Sequence, residues 1–217
     1  MAARTKRRTV ETLLEGGEWD AARTLIDREL SARPDDHWLL TQRGVTFYEQ
    51  GRYRESLRPF LSALAIVPDC PLTLWNLAGA LDALGKPEEG LAIYTWLLKS
   101  DKSPADDECW ESDEWTAGLK TDCVYRVGVC FRHMKRRESA ENCFRQYVNL
   151  LLAGMTGTYT IDDAARQIRE LAGNGRRKPG KAVRDAIGST LQDSGVLAIQ
   201  NGGDELPDLA PAERLAV

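Results

Sequence analysis

Five cysteines and two histidines are the side chains of this 217-residue sequence best suited to holding a metal or acting as nucleophiles. No two cysteines form a Cys-x-x-Cys pair. Cys130 and His133 are spaced like one edge of a zinc site, but two further ligands of a tetrahedral set are missing beside them. Cys123 and Cys130 lie seven apart on one helical stripe and Cys143 falls on the next helix, so these three read as reduced, packed thiols. No Ser-His-acid set, glycine-rich phosphate loop or paired-histidine helix can be assembled. Gly173-Asn174-Gly175 follows a helical pattern and precedes Arg176-Arg177-Lys178, which makes it a helix stop and a basic linker. The expectation is a non-enzyme with no catalytic residue, no metal and no cofactor.

Binding chemistry is better represented. Residues 105–120 contain Asp106, Asp107, Glu108, Glu111, Asp113 and Glu114, with Trp110 and Trp115 among them. One reading is an acidic projection in which Asp106, Asp107, Glu111 and an exposed Trp110 dock a basic segment of a partner. A second reading concerns its end. Trp115, Leu119, Cys123, Val127, Cys130 and Met134 form one apolar stripe, so a helix is expected to begin near Asp113, capped by Ser112. Gly118 inside that helix costs about 1 kcal/mol relative to alanine. Ser103-Pro104 before the acidic run is a further helix-start pattern.

The elements that must carry these residues repeat along the chain. Ala22/Ile26 recurs 34 residues on as Ser56/Phe60, again as Gly90/Tyr94, and 50 later as Ala140/Phe144; Pro34 and Pro68 are also 34 apart. Such a period specifies stacked helical hairpins. In the second copy Leu40, Gly44 and Phe47 line one helix, and Tyr53, Leu57, Phe60, Leu61 and Leu64 the next. Small Gly44 and Ser56 allow a close crossing with Phe60 wedged beside them. Pro59 breaks the helical rule, at a cost reduced if it lies only one turn in.

In this register the sequence resembles the tetratricopeptide-repeat (TPR) family over residues 3–152. The departures are Glu29, at a position the family keeps small, and the lack of a proline at Leu152. The resemblance implies an all-α fold, a right-handed superhelical array of about four hairpins near 3–36, 37–70, 71–104 and 121–152, with 105–120 as an acidic insertion. It also implies a concave groove lined by the first helix of each hairpin, binding a peptide or helix of another protein. The groove residues carried over are Trp38, Thr41, Gln42 and Tyr48, then Trp75, Asn76 and Asp82, then Tyr125, Arg126 and Arg132. Arg4, Arg7 and Arg8 stand at the equivalent face of the first hairpin. Some family members clamp a terminal carboxylate with lysine, arginine and two asparagines. Asn76 and Arg126 match part of that set, whereas Gln42 and Asp122 depart from it.

Residues 153–200 are expected to hold C-terminal capping helices and the basic linker. Thr160 caps a helix of Ile161, Ala164, Ala165, Ile168 and Leu171, and a weaker helix spans 181–192. Residues 201–217, rich in glycine, proline and acid, are expected to be a disordered tail. No apolar run approaches the about 18 residues of a membrane span, and no apolar signal core follows basic Arg4, Lys6, Arg7 and Arg8. The expectation is a cytoplasmic adaptor or regulatory subunit whose partner is another protein. A chaperone for an apolar segment is a narrower form. Nucleic-acid association through Arg4–Arg8, Arg132–Arg137 and Arg176–Lys181 is the rival, opposed by the net charge of −4.

Overall fold

A computed structural model describes residues 2–102 and 108–173, and every regular element among them is helical. Four antiparallel hairpins follow one another: α1 (Ala2–Glu15) with α2 (Trp19–Ala32), α3 (His37–Glu49) with α4 (Tyr53–Ile66), α5 (Pro71–Ala83) with α6 (Pro87–Lys99), and α7 (Asp113–His133) with α8 (Arg137–Leu152). A ninth helix, α9 (Ile161–Ala172), packs on α8. The second helix of each hairpin packs against the first helix of the next, and α3 also touches α5, which builds a superhelical array.

Each hairpin turns in the same way. Gly17, Gly51 and Gly85 have φ of 71°, 71° and 78°, and at the equivalent place in the fourth hairpin Lys135 has φ 62°. The amide after each of these residues bonds the carbonyl five residues back: Glu18 to Leu13, Arg52 to Phe47, Lys86 to Leu81 and Arg136 to Phe131. This is the Schellman closure, which needs a left-handed residue at its centre. Glycine fills it three times and lysine once.

The repeated small and bulky positions are the core. Ala22, Ile26, Ser56, Phe60, Ala140 and Phe144 are all fully buried. A Cβ placed on Gly44 would sit 2.3 Å from the Phe60 ring, and one on Gly128 would sit 3.0 Å from Phe144. In the third hairpin the close approach moves to Gly90, whose Cβ would meet the Ala78 carbonyl at 2.9 Å. Glu29 is buried but not alone, because Lys6 donates to it at 2.8 Å and holds its carboxyl below the usual range. Pro59 lies deeper than one turn. It is the seventh residue of α4 and is buried.

The helix starts agree with their sequence signals. Asp36 accepts from the Leu39 amide, Ser112 from Trp115, and Thr160 closes a capping box with Asp163. Because α7 begins at Asp113, the C-terminal part of the 105–120 insertion belongs to a helix. The expectation of an exposed Trp110 is corrected. It ends a 3-10 turn (Glu108–Trp110), is fully buried in the core with Leu74 and Cys123, and has Lys120 above its ring. The turn packs this indole between α5 and α7. Asp106 and Asp107, the Ser103-Pro104 pattern, the basic linker, the helix expected at 181–192 and the acidic tail lie outside the described residues.

Candidate functional site

The first helices α3, α5 and α7 carry the predicted groove residues, and four of these meet at one depression. Tyr48, Trp75, Asn76 and Arg126 line a pocket of about 150 Å³, together with Glu49, Gly79, Tyr94 and Tyr159. Gly79 is there for a steric reason, since a Cβ on it would approach the Tyr48 hydroxyl to 3.0 Å. Trp75 stands edge-on to Tyr94 at 5.2 Å, and Tyr48 edge-on to Tyr53 at 5.3 Å. Asn76 Nδ2 donates to the Leu72 carbonyl of its own helix. Burial holds the Tyr48 and Tyr94 hydroxyls above the ordinary tyrosine range, so both are neutral hydrogen-bonding groups. Desolvation likewise raises Glu49 at the rim.

Arg126 is fixed rather than loose. Its Nε donates to the Tyr94 hydroxyl at 3.0 Å, its guanidinium lies 5.6 Å from that ring's centre, and Nη2 reaches Asp82 at 3.5 Å. Asp82 is buried and also meets His133 Nδ1 at 2.6 Å. Asp82 therefore positions Arg126 and ties the third hairpin to the fourth. Only 5% of its surface is exposed.

Other predicted groove residues also have partners within the chain. Thr41 is fully buried and shares a 2.6 Å hydrogen bond with Thr73 between α3 and α5. Gln42 is 9% exposed. Trp38 is half-buried under the Arg7 guanidinium, 5.0 Å from its ring. Arg132 forms an ion pair with Glu170 of α9 at 2.9 Å. Tyr125 is buried because Tyr159 stacks flat upon it, with centroids 3.9 Å apart and an interplanar angle of 10°.

The chain's own connection between α8 and α9 thus fills the far end of the groove. Asp122 holds it in place. Its carboxylate accepts from the Thr158 amide at 2.8 Å and from the Thr158 hydroxyl at 2.6 Å. Gly157 fits there because a Cβ would sit 2.4 Å from the Tyr147 hydroxyl. A carboxylate clamp is not assembled: Gln42 is packed away and Asp122, where a lysine would be needed, is an acid committed to Thr158.

The thiols divide into two sets. Burial pushes Cys130 up to about 12 and Cys143 up to about 11, and raises Cys123 well above the ordinary range, so these three are neutral packing groups. The Cys130 and His133 edge is not formed, because His133 turns to Asp82. A different set converges. His37, Cys70 and Cys109 place one donor atom each within 4.8 Å of the others, and Cys109 Sγ lies 3.4 Å from His37 Nε2. Sequence reading missed it, although one signal was available. His37 and Cys70 are 33 apart, so the repeat period itself puts them at the starts of adjacent hairpins.

Comparison with known proteins agrees with this architecture. The sequence pattern described as tetratricopeptide repeat matches residues 7–71 and, in an overlapping frame, 41–107. The TPR repeat-containing protein MJ1428 of Methanocaldococcus jannaschii is 30% identical over 74 residues, covering 34% of this chain and only 13% of that protein. Among solved structures, the MamA RS-1 ArsTM double mutant superposes with a TM-score of 0.51 at 14% identity, over 78% of this chain and 94% of that one, a likeness of fold alone. Tetratricopeptide repeats generally mediate protein–protein interaction, and no described helix is long and apolar enough to cross a membrane. With the 34-residue period, the four hairpins and the match over residues 7–107 in agreement, the chain carries tetratricopeptide repeats.

Proposed function

We propose that the chain is a non-catalytic adaptor that holds a segment of another protein along its inner face, seating one side chain of that segment in the pocket. The observation that carries this reading is the convergence of Tyr48, Trp75 and Arg126 from three successive hairpins on one depression. Aromatic and arginine side chains in well-packed pockets are the usual anchors of interfaces. The pocket's about 150 Å³ is well below the roughly 300 Å³ at which small-molecule sites begin, and suits one side chain of a longer ligand. Rim residues Glu49 and Asn76 offer polar contacts to the flanking backbone. The segment enters from the α3 side, because Tyr159 and the 153–160 connection cover the α7 end. Five cysteines, none of them in a disulfide, fit a reducing, cytoplasmic setting.

A random peptide display library panned on the purified chain tests this reading. Counter-selection uses Asn76→Trp, which fills the pocket and gives up only a bond within its own helix. The expected result is a set of peptides sharing one anchor side chain, bound at least about tenfold more weakly by the variant, as loss of a buried anchor implies. Peptides that bind both proteins equally, or no enrichment at all, would overturn it.

A further inference from the structure

We propose that His37, Cys70 and Cys109 form a binding site for a soft divalent cation, zinc in the first instance, that fastens the 3-10 turn of the insertion to the starts of the second and third hairpins. The three residues come from three separate elements. His37 is the first residue of α3, Cys70 is the N-cap of α5, and Cys109 is the middle residue of the turn Glu108–Trp110. Nothing in the helical period requires the insertion to bring a thiol to this point.

Their distances suit a tetrahedral ion. Zinc bonds of about 2.3 Å to sulfur and about 2.0 Å to nitrogen, at the tetrahedral angle, put such a donor pair about 3.5 Å apart. Cys109 Sγ and His37 Nε2 are 3.4 Å apart. All three donors lie within 4.8 Å of one another. Two tetrahedral sulfurs would be about 3.8 Å apart, so side-chain rotations suffice to bring Cys70 in. Two thiolates and one imidazole select zinc and its softer relatives over magnesium or calcium, and two thiolates neutralise a divalent charge. Binding releases the two thiol protons to solvent. The fourth position remains for water or an added ligand.

The packing gives the site a purpose. Trp110, next to Cys109, is buried between α5 and α7, and Cys70 is 4% exposed. A cation there joins the insertion to both α3 and α5, whereas the turn otherwise packs on α5 and α7. A disulfide between Cys70 and Cys109 would use two donors and leave the imidazole without a part. The approach of His37 to Cys109 favours the cation.

The test uses the full chain, reduced, stripped with a chelator and titrated with cobalt(II), whose tetrahedral thiolate complexes show visible d–d bands and a near-ultraviolet charge-transfer band. One cobalt per chain is expected, displaced by zinc. Cys109→Ser and His37→Ala are each expected to weaken zinc binding, measured against a chromophoric chelator, by more than the roughly 100-fold cost of losing an outer-shell partner. Cys143→Ser is expected to bind like the parent. Circular dichroism establishes that each variant is folded. Cys109→Ser is the safer variant because Cys109 is only half-buried, in a turn. Absence of the cobalt–thiolate bands, their persistence in Cys109→Ser, or their loss in Cys143→Ser would overturn the proposal. So would a reduced chain that binds no metal but forms a Cys70–Cys109 disulfide on mild oxidation.

Discussion

At Gly44 the missing side chain is occupied by a neighbour. A Cβ there would lie 2.3 to 2.8 Å from three atoms of the Phe60 ring, which is itself fully buried and has no room to retreat. Alanine normally favours a helix over glycine by about 1 kcal/mol, but forcing an extra carbon into a filled core costs about 1–3 kcal/mol. With so short an approach the steric term wins, and Gly44→Ala is expected to lower stability by about 2 kcal/mol, read as a lower urea midpoint. Gly118 gives the opposite sign. Its Cβ would meet only Thr156, the Oγ1 at 3.4 Å and the carbonyl oxygen at 3.9 Å, both ordinary contacts, so Gly118→Ala is expected to raise stability by about 0.5–1 kcal/mol. If both variants shifted the midpoint in the same direction, packing at the crossing would not be the deciding term. Both glycines stand inside first helices, and sequence alone separates them only through the repeat register, which pairs Gly44 with Phe60 and gives Gly118 no partner.

The same distinction between backbone and side chain governs the elements. All four hairpins close with a left-handed residue, and only the fourth uses a residue that has a Cβ there, Lys135 at φ 62°. A non-glycine residue in that region costs roughly 1–2 kcal/mol, offset in part by the entropy glycine loses on folding. Lys135→Gly is expected to stabilise the fourth hairpin by about 1 kcal/mol and to slow amide hydrogen exchange at the α7–α8 turn. Unchanged or faster exchange there would mean that the lysine side chain contributes contacts that outweigh the strain. Elements of this kind were legible in the sequence because they depend on local rules. The 34-residue period places α1 to α6. Ser112 and Thr160 announce α7 and α9, and the stripe from Trp115 to Met134 locates the extended α7. Trp110 was misjudged because acidic neighbours suggest a solvated loop, while its burial depends on α5, far away in sequence.

Across the whole molecule, the groove is shaped by a connection that helical periodicity cannot place. Trp75, Asn76, Tyr48 and Arg126 follow from the register, since residues at matched positions of successive first helices share a face. Tyr125 follows the same rule and yet is covered, because residues 153–160 fold back over α7 and lay Tyr159 on it. Two side chains hold the covering: the buried Asp122 carboxylate, and the Tyr147 hydroxyl, which donates to the Tyr159 carbonyl at 2.7 Å and accepts from its amide at 3.1 Å. Asp122 takes the Thr158 amide and hydroxyl and lies 3.2 Å from the Tyr147 hydroxyl, so removing it leaves the Thr158 amide to find water and frees the segment. Asp122→Ala is expected to cost about 1–3 kcal/mol, the penalty of orphaning buried donors. Its specific mark is where protection is lost. Hydrogen exchange should quicken across 154–160, while α3 to α6 stay as in the parent, because no residue of those helices bonds Asp122. Gly157→Ala reaches the same end from the other side, since its Cβ would fall 2.4 Å from the Tyr147 hydroxyl and 2.9 Å from Asp122. Each variant should also expose the Tyr125 face and extend the groove to the fourth hairpin. Peptides selected on the parent would bind more weakly, because Tyr159 forms one wall of the anchor pocket and leaves with the segment. Longer peptides selected on the variants would gain contacts there. Loss of protection throughout α7 and α8 would show instead that Asp122 belongs to the core of the hairpin and that the connection is not a separable cover.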